Sequence, residues 1–243
     1  MSAFVSFVHE HGCHLFTDGA VWDPDQTLLD IRHKATVARS GHLAVTSIGD
    51  AGVGSAIARD ICERADRLGV GAVMDSLQAY AVEVAHALGV IEGQRSVTVL
   101  VTAYVPGRGG VHRYFRSYAQ GHACAYDVID PGANTYWSGA EFTAADIGRH
   151  GLCRLPGEPD GAFVRRLGAG IIDVMRYRPG SILAPGSKDA WMVGGKIDCT
   201  SLLASGAVVE TLKVYPDVIG ERIDPYRGMP RAERRRMMRT AAH

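Results

Sequence analysis

The chain has 243 residues, 47% of them hydrophobic, with Lys+Arg and Asp+Glu equal at 26 each. That length and apolar content suit one large domain better than two small ones, and a formal net charge of zero gives no global field to hold nucleic acid or an anionic membrane. The apolar runs are short and broken by Gly or charge, the start lacks a basic n-region with a long apolar core, and the five cysteines have no CxxC spacing; a cytoplasmic protein with no membrane span, no secretory signal and reduced thiols is expected.

In chain order, Ala3–Val8 and His14–Thr17 read as two strands of a hairpin turning at Gly12. After the turn at Asp23-Pro24-Asp25 come candidate strands at Lys34–Ala38 and Leu43–Ile48. Two helices follow: Gly54–Leu68 spaces Ile57, Ile61, Ala65 and Leu68 helically, and Val73–Leu88 does so with Leu77, Tyr80 and Val84. The Gly69–Gly71 segment makes them an αα-hairpin. Ser96–Val105 and Val111–Tyr118 are β-rich around a Pro106–Gly110 turn, and Asp127–Ser138 carries a further strand and turn. A third long helix is expected over Gly161–Arg176, then a strand pair at Ala190–Leu203 and Ala207–Tyr215. Strands and helices come in blocks, which favours α+β with antiparallel sheets over a regularly alternating parallel fold. Residues 1–226 read as one domain. Residues 227–243, with Arg231, Arg234, Arg235, Arg236 and Arg239 around Met237 and Met238, read as a basic, peripheral C-terminal tail.

The residues that can carry chemistry are Ser2, Asp18, Lys34 and the segment Thr46-Ser47-Ile48-Gly49. A terminal serine can be its own catalyst. With Met1 removed, which a small second residue permits, the Ser2 α-amine titrates near neutrality and can take the proton of the Ser2 hydroxyl. A nearby lysine keeps that amine neutral, an aspartate holds the lysine, and a backbone N–H on the strand-to-helix turn stabilises the oxyanion.

Ser2 to Asp18 is sixteen residues and Asp18 to Lys34 is sixteen again. With Thr17-Asp18-Gly19-Ala20, Lys34-Ala35-Thr36-Val37 and the strand-turn-helix segment Ala44–Gly54, the chain resembles the proteasome-type N-terminal-nucleophile hydrolases, the β subunits and the bacterial proteasome-like heat-shock peptidase. Asp189-Ala190-Trp191-Met192-Val193-Gly194-Gly195 is similar to the family's D-A-Y-S-G-G segment, with Met192 in place of its serine and one residue inserted. The likeness covers the first 90 or so residues well and the later strand order loosely.

The resemblance implies a four-layer αββα sandwich, two antiparallel sheets between helix layers. It implies a cofactor-free, metal-free peptidase or amidohydrolase with Ser2 as nucleophile, Lys34 and Asp18 tuning it, Ser47 near the oxyanion position and Asp189 in the supporting segment. It also implies a homo-oligomeric ring or stacked assembly acting on peptides. The sparsely charged Val73–Leu88 segment agrees with burial on more than one side. A second reading stays open: a catalytically silent scaffold or assembly subunit of a phage-related or multi-subunit particle.

Other motifs point less far. His9, His11 and His14 with Cys13 flank a hairpin turn where their side chains need not converge, so a solvated hairpin is expected there and no metal site. Gly49–Gly54 lacks the Lys-Ser/Thr pair of a phosphate loop. Trp137, Tyr177 and Trp191 are expected in core or interface.

Overall fold

The computed structural model describes residues 3–89, 96–132, 135–140, 142–178, 191–232 and 234–235. The first strands, β1 (Phe4–His9) and β2 (Gly12–Asp18), form the anticipated antiparallel hairpin. They sit inside a five-stranded antiparallel sheet of order β11-β10-β2-β1-β9, with β9 at Thr135–Ser138, β10 at Lys196–Leu203 and β11 at Gly206–Val214. A second antiparallel sheet has order β5-β6-β7-β8: β5 (Thr36–Val37), β6 (Leu43–Gly49), β7 (Val97–Val105) and β8 (Gly109–Arg116). Between β2 and β5 a small third sheet pairs β3 (Ala20–Trp22) with β4 (Leu28–Ile31).

Strand alternation decides what each sheet buries. From the five-stranded sheet, Val5, Phe7, Phe16, Ile197 and Cys199 meet Ile171, Ile172 and Met175 of helix α4 (Asp160–Arg176). Its other face sends Phe4, Cys13, Leu15 and Leu202 against Ala44, Ile48, Leu100 and Tyr114 of the four-stranded sheet. The far face of that second sheet, Val45, Val97, Val99, Val101 and Phe115, packs on Ile57, Ile61, Met74 and Leu77 of α1 (Ala51–Leu68) and α2 (Val70–Leu88). The architecture is mixed α+β, with its strands paired antiparallel throughout the described residues. A chain of polar groups links the two sheets: His112 Nδ1 lies 3.1 Å from Ser6 Oγ, which lies 3.3 Å from Thr102 Oγ1, whereas the buried Thr17 hydroxyl has no hydrogen-bond partner among the described residues. Burial lowers the His112 pKa.

α1 begins where Asp50 accepts the Gly52 and Val53 amides at 2.8 and 2.9 Å, a side-chain cap. Gly69 ends α1 and starts α2, so the helix pair is tighter than the Gly69–Gly71 spacer suggested. Within one chain α2 buries a single face. Ala79 is exposed on the other, with Val82 43% and Leu88 46% exposed.

Several expectations need correction. The candidate strand at Lys34–Ala38 shrinks to the two residues of β5, because Lys34 leaves strand geometry to reach a buried carboxylate. The strand expected from Ala190 starts only at Lys196; residues 191–195 form a loop held by side chains, and Ala190 lies outside the described residues. β3, β4 and the six-residue helix α3 (Ala144–Arg149) were not anticipated. At the β1–β2 hairpin, Cys13 is fully buried and His14 half-buried beside Ser201, so that hairpin is not simply solvated. In the C-terminal tail, Arg231, Arg234 and Arg235 are exposed; Arg236, Met237, Met238 and Arg239 lie outside the described residues. No helix among the described residues is long and apolar enough to cross a membrane.

Candidate functional site

The β1–β2 register sets Phe4 opposite Thr17, which brings Asp18 against the beginning of the chain. Ala3 N–H donates to Asp18 Oδ1 at 2.9 Å. The Lys34 ammonium donates to the same oxygen, also at 2.9 Å. Asp18 Oδ2 accepts the Ala20 and Gly194 amides, each at 3.2 Å. One carboxylate with no exposed surface is therefore met by a cation and three backbone donors, the sort of compensation that a buried charge requires. The Lys34 side chain is 9% exposed. Its burial pulls the ammonium pKa below the ordinary lysine value, while Asp18 acts in the opposite direction.

Local sequence makes room for this pair. A Cβ on Gly19 would stand 2.6 Å from Lys196 Cγ and 3.2 Å from the Arg32 carbonyl oxygen, so a larger residue directly after Asp18 would have to displace the Lys196 side chain. At the other side of the site, Gly49 holds φ at +114°, and a Cβ there would overlap the Ser96 carbonyl oxygen at 1.8 Å. That glycine closes β6 and turns the chain into α1.

A second buried carboxylate stands next to the first. Asp198 Oδ2 lies 3.1 Å from His33 Nδ1 and 2.9 Å from Lys196 Nζ, and Asp198 Oδ1 accepts the Thr211 hydroxyl at 2.6 Å. Burial works to raise the Asp198 pKa, but the bonds from His33, Thr211 and Lys196 hold it below the usual carboxylate value. His33 Nε2 is 3.4 Å from Thr200 Oγ1. Behind the 193–195 loop, Arg176 and Asp217 pair in bidentate fashion at 2.8 and 2.7 Å, each side chain 1% exposed. Arg176 also donates to the Val193 carbonyl, and Asp217 accepts Gly195 N–H at 2.7 Å. This clamp fixes the loop whose Gly194 amide reaches Asp18.

A cleft of about 420 Å³ opens over the site, lined by Arg32, His33, Lys34, Ser47 and Arg59 among others. Three of the five residues singled out from the sequence thus fall within the described structure and converge: Asp18 and Lys34 in contact, and Ser47 on β6 facing the same cleft. Ser2 and Asp189 lie outside the described residues. The His33–Asp198 and Arg176–Asp217 pairs escaped sequence reasoning. The available signal was an Asp alternating with apolar Ile197 and Cys199 along a strand, which places a carboxylate between two sheets. No group of three or more His, Cys, Asp or Glu that could hold a metal ion occurs among the described residues. No protein-family model and no curated protein matches the chain.

Proposed function

We propose that this chain is an N-terminal-nucleophile hydrolase of the proteasome type, acting on peptide or amide bonds. The observation that carries the reading is the shared oxygen of Asp18, which joins a buried lysine to the backbone amide of Ala3, the residue bonded to Ser2. On this reading, cleavage ahead of Ser2 frees its α-amine. The amine takes the Ser2 hydroxyl proton as Oγ adds to the substrate carbonyl carbon. The same proton then passes to the departing amine, leaving an ester on Ser2. Water, deprotonated by the α-amine, hydrolyses that ester and restores the hydroxyl.

Lys34 has two effects in this scheme. Its positive charge disfavours protonation of a neighbouring amine, and it favours developing negative charge on Oγ. Backbone N–H groups around Thr46 and Ser47 would receive the oxyanion. The two large sheets, with α4 on one side and α1 and α2 on the other, support the αββα layering of that superfamily. Assembly into a homo-oligomer belongs to the same proposal.

The test is hydrolysis of a fluorogenic peptide-amide library by protein whose mass confirms a free Ser2. Ser2→Ala is expected to abolish turnover, and Lys34→Ala to lower kcat by roughly 10²-fold or more, in the range of a lost acid–base group. Undiminished turnover in Ser2→Ala, or no turnover of any library member, overturns the reading.

A further inference from the structure

The cleft above Lys34 has an unusual charge balance. Its lining holds Arg32, His33, Lys34 and Arg59, together with the hydroxyl residues Thr36, Ser47 and Ser55, and no Asp or Glu among the described residues. Two of these four basic groups are already balanced: Lys34 by Asp18 and His33 by Asp198. The three carboxylates next in sequence to lining residues are engaged elsewhere: Asp50 accepts the Gly52 and Val53 amides as the α1 cap, Asp23 accepts the Thr27 amide at 2.9 Å, and Asp60 lies 3.3 Å from Arg64 Nε. The Arg32 and Arg59 guanidinium groups have no hydrogen-bond or ion-pair partner among the described residues, and both residues are exposed. Arg32 is close enough to Lys34 to disfavour its protonated form. Two guanidinium forks thus line one concave space without a partner among the described residues.

We propose that this cleft receives the carboxylate of an acidic substrate side chain, bound between Arg32 and Arg59. Guanidinium and carboxylate match in shape and charge, and a bidentate pair fixes orientation as well as adding affinity. A volume of about 420 Å³ accommodates a glutamate side chain with part of its backbone, within the usual range for ligand sites. The peptide nature of the ligand rests on the hydrolase reading; the preference for negative charge rests on the cleft itself. On that reading Lys34 and Ser47 border both the reacting centre and this cleft, so the acidic residue is the one that supplies the scissile carbonyl.

Titration calorimetry on the full chain carrying Ser2→Ala separates the two. The probes are two acetylated tetrapeptide amides that differ only in Glu or Gln at the fourth position. The Glu peptide is expected to bind about tenfold tighter, equivalent to about 1.4 kcal/mol. Arg32→Gln and Arg59→Gln should each shrink that ratio, and the double variant should bring it to parity. Both arginines are exposed, so the folds of these variants should be intact, with unchanged thermal midpoints as the control. Equal binding of the two peptides, no binding of either, or a ratio that survives in the double variant overturns the proposal. Turnover by the wild-type chain is then read independently. Hydrolysis without preference for Glu overturns the acidic cleft and leaves the hydrolase standing. Selective Glu binding without hydrolysis sustains the cleft and removes the hydrolase.

Discussion

Asp18 Oδ1 lies 2.9 Å from the Lys34 ammonium nitrogen, and the two groups make unequal demands on the rest of the chain. Asp18 also receives the Ala3, Ala20 and Gly194 amides, whereas Lys34 keeps 9% of its side chain exposed. Asp18→Ala therefore strands a buried cation and three amide donors at once, with an expected loss of about 4 kcal/mol. Lys34→Met keeps the aliphatic stem and leaves the carboxylate its three amides, so a loss of about 2 kcal/mol is expected. The Asp18→Ala/Lys34→Met double variant should cost less than the sum of its single changes. Urea denaturation of the four proteins measures this, and strict additivity would show that the pair is not coupled.

Arg176 is expected to act at a distance from the reacting groups. Its guanidinium grips Asp217 and the Val193 carbonyl and lies 4.1 Å from the Tyr215 ring centre. Lysine cannot reproduce that fork. Arg176→Lys should lower stability by about 3 kcal/mol and loosen the 193–195 loop. Hydrogen exchange then should rise at the Gly194 and Gly195 amides before it rises in the β10–β11 ladder. Equal protection of loop and ladder in the variant would contradict this.

Acid sensitivity should map to His14. Burial, with help from His9 and Arg165, lowers its pKa from 6.5 to about 4. The unfolded chain therefore binds a proton that the folded chain refuses between pH 6.5 and about 4. The stabilising contribution is complete above pH 6.5 and is lost as pH falls through that window. His14→Phe should flatten this part of the curve of melting temperature against pH. An unchanged slope in the variant would place the sensitivity elsewhere.

The thiols divide by burial. Cys13, Cys62 and Cys199 are buried, and burial pushes their pKa values up to about 11, 12 and 11. Cys124 and Cys153 are exposed. An aromatic disulfide reagent at pH 8 should titrate Cys124 and Cys153 quickly in native protein and all five cysteines in denaturant. Fast reaction at Cys13 would contradict the seam between the two sheets.

The long periodic elements could be read from the chain because their signals are local. Ile57, Ile61 and Ala65 on α1, and Val97, Val99 and Val101 on β7, announce helix and strand through spacing alone. Asp18 and Lys34 were legible through their equal steps from Ser2. The Arg176–Asp217 and His33–Asp198 pairs were not, since 41 and 165 residues separate the partners and no local spacing ties one partner to the other. β3 and β4 hid for another reason: three- and four-residue strands carry too little alternation to stand out from the turn at Asp23-Pro24.

The most direct test is a covalent one. A β-lactone, opened by a serine hydroxyl, leaves an ester whose mass equals that of the whole reagent, and peptide mapping locates it. After incubation at pH 7.5, the chain is expected to start at Ser2 and carry one such adduct on the Ser2 peptide, with the adduct lost in Ser2→Ala and strongly reduced in Lys34→Ala. A chain that keeps Met1 and takes up no reagent would contradict the account and favour the silent scaffold.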